Sequence, residues 1–186
     1  YTFSGIAILF ALLTLFSLYF FRDPERKVPP GDDIAVSPAD GRVLTVDTVE
    51  ELDFIKGKAL RISIFMNVFD VHVNRAPVAG TVKYTSYRPG KFFNASLDKA
   101  SIFNEAMTLG LENQEWGKVL VRQIAGLIAR RIVCRVERDD MLEKGERFGI
   151  IKFGSRVELY LPENCEVKVK PGDRLIAGKS IMARLK

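Results

Sequence analysis

Several residue types are scarce in this chain of 186 residues, and each scarcity excludes a class of protein. There is one histidine, His72, so a metal site built from several histidines is excluded. The two cysteines, Cys134 and Cys165, fit no metal-ligand spacing and do not indicate a disulfide scaffold, so we expect a reducing compartment. We therefore expect no metal cofactor, and any acid–base chemistry of an imidazole must involve His72.

The chain also lacks the signatures of nucleic-acid binding. Its net charge is +5, but the basic residues are scattered, and no ribonucleoprotein motif, zinc-finger spacing or helix-turn-helix pattern is present. A surface of this charge could instead attract anionic lipid head groups. Apolar residues make up 47% of the chain, which excludes a disordered protein and predicts one globular domain with an appendage.

Charge is absent from residues 3–21, which read FSGIAILFALLTLFSLYFF. A helix of this length spans about 28 Å, close to the hydrocarbon thickness of a bilayer. Basic residues follow at 22, 26 and 27 and predict that the next segment lies on the cytoplasmic side. We therefore predict a transmembrane anchor over 1–21, a charged, proline-rich linker over 22–33, and a protein located at the cytoplasmic membrane; the alternative is a buried core helix.

Residues 34–186 are predicted to form one mainly β domain. Short runs with alternating apolar residues are separated by Gly, Asp and Pro, as is typical of a β-rich α+β domain with antiparallel sheets. One helix is predicted over 95–109, with Asn94 or Ser96 as its cap.

A weak internal repeat relates residues 136–145 to residues 169–178. Both copies have the hairpin pattern of a biotinyl- or lipoyl-type barrel sandwich. Such carriers present a modifiable lysine at a tight turn, and no lysine here has that setting. The repeat therefore predicts a barrel-sandwich element of the architecture and not a carrier function.

Three segments contain the side chains that could perform chemistry. Asp40 lies in Ser-Pro-Ala-Asp-Gly, His72 lies in Phe-Asp-Val-His-Val-Asn-Arg-Ala-Pro, and Gly154-Ser155 lies between two strand-like runs. Taken singly, these are typical of a hairpin turn, a structural histidine and a turn. Together they supply a carboxylate, an imidazole and a hydroxyl, yet no Gly-x-Ser-x-Gly elbow is present. A serine that attacks the preceding carbonyl of its own chain fits better than a serine hydrolase.

Six motifs together resemble the phosphatidylserine decarboxylase family, in its short bacterial and archaeal form. They are FFRDPER (20–26), SPADG (37–41), FMNVFDVHVNRAPVAG (65–80), NASLDKAS (94–101), QIAGLIARRIVC (123–134) and FGIIKFGSRVELYLP (148–162). The resemblance implies a lyase of phospholipid biosynthesis that converts phosphatidylserine to phosphatidylethanolamine and CO2 through a Schiff base on a pyruvoyl group. It further implies phosphatidylserine and the membrane as partners, no nucleic acid, and no metal.

The resemblance also implies a zymogen that cleaves itself. Cleavage between Gly154 and Ser155 would leave a β chain of residues 1–154 bound to an α chain of residues 155–186, whose first residue becomes the pyruvoyl group. Asp40, His72 and Ser155 match the family's catalytic triad. A homodimer is one assembly that we consider.

Two departures from the family pattern affect the predicted site. Longer relatives carry a second histidine where this chain has Arg75, so His72 must serve both self-cleavage and decarboxylation. The family's Asn-Glu-Arg-Asn run is replaced here by residues 104–107, Asn-Glu-Ala-Met. Arg75, Arg130 and Arg131 are candidates for binding the substrate.

Two alternatives stay open from the sequence. One is a decarboxylase of an ether-linked lipid, archaetidylserine, because no residue pattern distinguishes ester-linked from ether-linked tails. The other is a non-catalytic, membrane-tethered binding module of biotinyl-like architecture, which would remain one intact polypeptide.

Overall fold

An eight-stranded antiparallel sheet is the main element of the computed structural model. The structure describes residues 2–127, 131–152 and 154–186, and it describes all of their side chains except those of residues 2, 3 and 98. With strands numbered in chain order, the spatial order is β13 (Arg174–Leu175), β2 (Gly41–Glu51), β3 (Gly57–Met66), β11 (Ser155–Pro162), β7 (Gly117–Ala125), β6 (Ala106–Asn113), β5 (Gly80–Arg88) and β9 (Met141–Leu142).

Two three-stranded antiparallel sheets and two helices complete the described part of the chain. One sheet has the order β1 (Ile34–Val36), β14 (Ile181–Leu185), β12 (Cys165–Val167), and the other β4 (Val73–Arg75), β10 (Arg147–Ile151), β8 (Ile132–Cys134). The helices are α1 (Thr2–Phe20) and α2 (Asp98–Phe103). The predicted mainly β, antiparallel character agrees with this architecture.

Strand β11, which begins at Ser155, is central to the large sheet. It pairs with β3 on one side and with β7 on the other. Val157, Leu159 and Leu161 are fully buried in the main core on one face, as the two-residue period of a strand requires. Arg156 and Glu158, on the opposite face, are buried as well. The start of this strand is therefore held from both sides and on both faces.

The internal repeat seen in the sequence forms two equivalent turns. In the copy at 136–145, the carbonyl of Asp140 accepts a hydrogen bond from β5 at 2.8 Å; in the copy at 169–178, the carbonyl of Asp173 accepts one from β2 at 2.9 Å. Strand β9 then pairs with β5, and β13 pairs with β2. Each copy thus continues the large sheet at one of its edges, and the two edges are built alike.

The predicted helix over 95–109 is wrong in most of its length. Helix α2 covers only Asp98–Phe103, its cap is Leu97 instead of Asn94 or Ser96, and residues from Ala106 onward form β6. Strand β6 pairs with both β5 and β7, so hydrogen bonds to two neighbours replace the helical bonds that Ala, Met and Leu would otherwise favour.

The predicted transmembrane anchor over 1–21 is also wrong. Among the described residues, no helix is long and apolar enough to cross a membrane. Helix α1 ends at Phe20. Its last residue is fully buried against the β domain, so the C-terminal turn packs on protein.

Candidate active site

The turn that holds His72 connects β3 to β4 and fixes the orientation of the ring. The Asp70 carboxylate accepts a hydrogen bond from the Asn67 N–H at 2.9 Å, which closes the turn. His72 Nδ1 lies 2.9 Å from the carbonyl oxygen of Asp70. Because a carbonyl oxygen can only accept, we assign the proton to Nδ1 and a free lone pair to Nε2.

The lone pair on His72 Nε2 points to the predicted cleavage site. It accepts a hydrogen bond from the Gly154 N–H at 3.2 Å. The ring of Phe20 covers the imidazole, with 4.4 Å between ring centroids. Burial lowers the pKa of His72 to about 4, helped by the charge of Arg22 and opposed by the Asp70 carbonyl and the Asp40 charge. His72 is therefore a neutral base at pH 7.

The backbone at Gly154 and Ser155 adopts a conformation that depends on two glycines. Gly154 has φ +64°, in the left-handed region that residues with a Cβ rarely adopt. Its carbonyl oxygen lies so close to Gly126 that a Cβ there would be only 2.2 Å away. Ser155 is fully buried, and its hydroxyl contacts the sulfur of Met66 at 3.4 Å, a weak acceptor.

Asp40 lies close to this site but does not hydrogen-bond to His72. Its carboxylate accepts a hydrogen bond from the Ala177 N–H at 2.7 Å and forms an ion pair with Arg26 at 3.0 Å. It acts on the imidazole through its charge, which raises the pKa of His72 against the larger effect of burial. The structure thus brings Asp40, His72 and Ser155 into one neighbourhood, although the described residues do not form a continuous hydrogen-bonded triad.

The three arginines predicted to bind substrate have different positions. Arg75 is buried, and it hydrogen-bonds to the carbonyls of Gly145 and Pro24 and forms an ion pair with Asp23, which fastens the segment after α1 to the domain. Arg131 is exposed, and its carbonyl accepts the Lys152 N–H at 3.1 Å, close to the cleavage site. Arg130 lies outside the described residues.

A cavity of about 250 Å³ opens beside the cleavage site. Its lining is mostly apolar, with two amide side chains, and consists of Phe65, Asn67, Val68, Asn94, Ala95, Leu127 and Gly154. The side-chain oxygens of Asn67 and Asn94 accept hydrogen bonds from the N–H groups of Phe69 and Ser96. An apolar cavity with a few polar groups beside reactive atoms is typical of a substrate site.

A buried polar cluster connects α2 to the strand that follows the cleavage site. Glu158 accepts hydrogen bonds from Ser101 of α2 at 2.6 Å and from Tyr160 at 2.7 Å, and it pairs with Arg156 at 3.0 Å. Burial beside the Glu158 carboxylate raises the pKa of Tyr160. The cluster therefore fixes α2, and with it the preceding loop that carries Asn94, against the first residues of β11.

The altered run at residues 104–107 retains a structural contact at its first position. Asn104 is fully buried, and its side chain bonds the backbone of Phe93 through both amide atoms and the carbonyl of Ala125 at 2.7 Å. It ties the cavity loop to the end of β7. Ala106 and Met107 begin β6 and pair with β7.

Sequence reasoning missed several residues that shape the site. Phe20, Gly126 and Glu158 act through distant contacts, with the imidazole, the Gly154 carbonyl and α2 respectively. The sequence holds no signal for Glu158, because charged residues at 156 and 158 that alternate with apolar ones are typical of a strand with one face in solvent, whereas both faces of β11 are buried.

Comparison with known proteins finds one family and several similar chains. The family model described as phosphatidylserine decarboxylase matches residues 13–183. A protein of Nitratidesulfovibrio vulgaris is 56% identical over 180 residues, covering 96% of this chain and 82% of that protein. Proteins of Desulfotalea psychrophila and Symbiobacterium thermophilum are 48% and 51% identical, each covering 97% of this chain and 84% of the relative. All three relatives are named phosphatidylserine decarboxylase proenzyme.

Proposed function

The chain belongs to the phosphatidylserine decarboxylase family, and on this premise we propose that it matures by cutting itself between Gly154 and Ser155. It is a carboxy-lyase that converts phosphatidylserine to phosphatidylethanolamine and CO2. The observation that carries the self-cleavage proposal is the 3.2 Å hydrogen bond from the Gly154 N–H to the lone pair of His72. A neutral base in that position lies one residue from the serine that it must activate.

The residues at the cleavage site fit a pyruvoyl group formed from Ser155. The serine is fully buried, and the sulfur of Met66 is a weak partner, so little hydrogen bonding is lost when the hydroxyl oxygen leaves. Gly126 leaves space for the Gly154 carbonyl, which must accept the attack. Apolar surroundings limit side reactions with water.

Self-cleavage would proceed in three steps. His72 takes the Ser155 hydroxyl proton, the oxygen bonds to the Gly154 carbonyl carbon, and the peptide C–N bond breaks as its nitrogen gains a proton, which leaves an ester. Loss of the Ser155 α-proton then breaks the bond between oxygen and Cβ, which frees the Gly154 carboxylate and leaves dehydroalanine. Tautomerisation to an imine and addition of one water release ammonia and leave a ketone.

In turnover, a pyruvoyl carbonyl supplies an electrophile for the substrate amine and an electron sink for the departing carboxylate. The residues of this chain bind the head group and deliver protons. The amides of Asn67 and Asn94 line the cavity in which the head group would bind. The carbon that loses CO2 must gain a proton, and His72 is the proposed donor.

We also propose that the protein works at the cytoplasmic membrane, with the β domain on its cytoplasmic side. Leu127, which lines the cavity, is 62% exposed, and Phe69, Ile102 and Phe103, on the chain segments that follow the lining residues Val68 and Ala95, also face solvent. A phospholipid substrate leaves the bilayer most easily where apolar residues contact the lipid. Replacing Ile102 and Phe103 by serine should weaken cosedimentation with vesicles containing phosphatidylserine; unchanged binding would contradict this role of α2.

Intact-mass measurement of the purified protein tests the self-cleavage proposal. Two chains that separate at 154/155, with the second beginning in a pyruvoyl group, support it, whereas one uncut and inactive chain contradicts it. Ser155→Ala should stay uncut. Assays of the cut protein with diacyl and diether serine lipids separate the two substrate classes that the sequence leaves open.

A further inference from the structure

The single histidine has two opposite tasks in the proposed function. Self-cleavage needs His72 as a base, whereas turnover needs it as a proton donor. In the uncut chain the site favours the unprotonated ring, because Phe20 covers it and its Nε2 accepts a hydrogen bond from the Gly154 N–H. Some change must accompany maturation if the same ring is to donate a proton efficiently at neutral pH.

We propose that the carboxylate created at Gly154 by self-cleavage acts on His72 during turnover and converts its ring from a base to an acid. The inference rests on the self-cleavage proposed above. It assigns a catalytic role to the new C-terminal carboxylate of Gly154, whereas the pyruvoyl group forms from Ser155 at the new N-terminus.

The geometry places the new charge next to the imidazole. The Gly154 nitrogen lies 3.2 Å from Nε2, and the carbonyl carbon of the same residue is two bonds beyond that nitrogen. While this hydrogen bond persists, the carboxylate oxygens lie within roughly 6 Å of Nε2. At that distance, in a half-buried position, an anion favours the protonated ring.

The cut end is tethered to His72 itself. Strand β10, which precedes the cut, pairs with both β4 and β8. At its end, the Ile151 N–H donates to the carbonyl of His72 at 3.3 Å, and the Lys152 N–H donates to the carbonyl of Arg131 at 3.1 Å. None of these contacts involves the bond that breaks. The Gly154 carboxylate therefore has only a short segment in which to move away.

The charges already around His72 still allow a new anion to raise the pKa of the ring. Arg22 lowers the pKa of the ring, and Asp40 raises it while being paired with Arg26. The Asp70 carboxylate in the same turn is paired with Arg174, and Lys152 lies on the segment that precedes the cut. Both nearby carboxylates thus have cationic partners. The new anion should raise the pKa of His72 by about 2, which brings it to roughly 6.

Nuclear magnetic resonance can test this directly, because one histidine gives one ring signal. The ring of labelled His72 should titrate near pH 4 in uncut Ser155→Ala and about 2 pH units higher in the mature wild-type protein. Glycine labelled with 13C at the carbonyl adds a second reporter, since the free carboxylate of Gly154 exists only after the cut. Its chemical shift should change at the same pH at which His72 titrates.

The outcomes separate this inference from the function on which it rests. A wild-type chain that stays uncut by mass contradicts self-cleavage and the inference together. A cut protein in which the pKa of His72 is unchanged contradicts the inference alone. So does a raised pKa that the Gly154 carboxylate does not sense, because simple opening of the site would also move the pKa toward its ordinary value of about 6.5.

Discussion

Replacing Gly126 by alanine tests whether the observed backbone geometry at the cleavage site is the reactive one. The added Cβ would lie 2.2 Å from the carbonyl oxygen of Gly154 and 3.0 Å from its carbonyl carbon. Gly126 itself is outside the left-handed region, so its own backbone accepts alanine without strain. The substitution therefore acts on the Gly154 carbonyl that Ser155 must attack.

The expected effect follows from the size of the forced movement. Ordinary contact begins about 1.2 Å beyond the separation that the Cβ would have, so the Gly154 carbonyl has to shift by about 1 Å. Such a shift would also lengthen the 3.2 Å hydrogen bond to His72. Misplacement of reacting groups by about 1 Å costs roughly 100-fold in rate, equivalent to about 2.7 kcal/mol in the barrier.

The assay is the rate of cleavage after cell-free synthesis, followed by intact mass. Gly57→Ala is the matched control, because no atom lies within 4 Å of the Cβ that it would add. We expect the control to be cut at the wild-type rate and Gly126→Ala about 100-fold more slowly, with near-ultraviolet circular dichroism confirming that both fold. Cleavage of folded Gly126→Ala at the wild-type rate would refute the reasoning.

Three further changes test other parts of the site. Phe20→Ala should raise the pKa of His72 from about 4 toward 6.5, and self-cleavage at pH 5.5 should then be about tenfold slower because less of the imidazole is neutral. Phe20→Leu should keep the low pKa. Cleavage rates that depend on pH in the same way in both variants would contradict the role of Phe20. Arg75→Met, made in the uncut Ser155→Ala background, should lower the unfolding free energy by about 2 kcal/mol as measured by denaturant unfolding. Equal stability would show that the bonds of Arg75 do not hold the segment after α1 on the domain. Asn94→Asp keeps the turn but puts a negative charge at the cavity, so it should lower kcat/KM for phosphatidylserine about tenfold. The control is Asn164→Asp, at an exposed position beyond the far end of β11, which should leave kcat/KM unchanged. Equal values for the two variants would argue against head-group binding in the cavity.

The mainly β character was predictable because the signal of a strand lies within the strand itself. Alternation in residues 155–162 follows from one face that packs in the main core. Helix α2 shows where this reasoning stops: the residues after Phe103 favour a helix locally, and only pairing with β5 and β7 makes them a strand. The uncharged run at 3–21 likewise says nothing of Phe20 packing on His72, a contact between residues 52 positions apart.

The candidate site was predictable where composition limited the choice. A chain with one histidine leaves a single imidazole, and the Gly154-Ser155 pair is visible in the sequence. The partner of Asp40 was not predictable, since its hydrogen bond to Ala177 spans 137 positions and the ion pair with Arg26 links two loops. The space at Gly126 exists only because the end of β7 meets the start of β11. These contacts join residues that are distant in the sequence, so they follow from how the strands are arranged and not from any local pattern.

The central position of β11 requires that the chain folds before it is cut. Strand β11 must lie between β3 and β7 before its first residue can react, so the chain folds as one molecule. After the proposed cut, β11 and β14 would still pair with strands of the other fragment, and unfolding would release two separate chains. Refolding would then be bimolecular and dilution would oppose it. On this proposal the cut makes unfolding irreversible in dilute solution, so the lifetime of the mature enzyme would be set by its unfolding barrier.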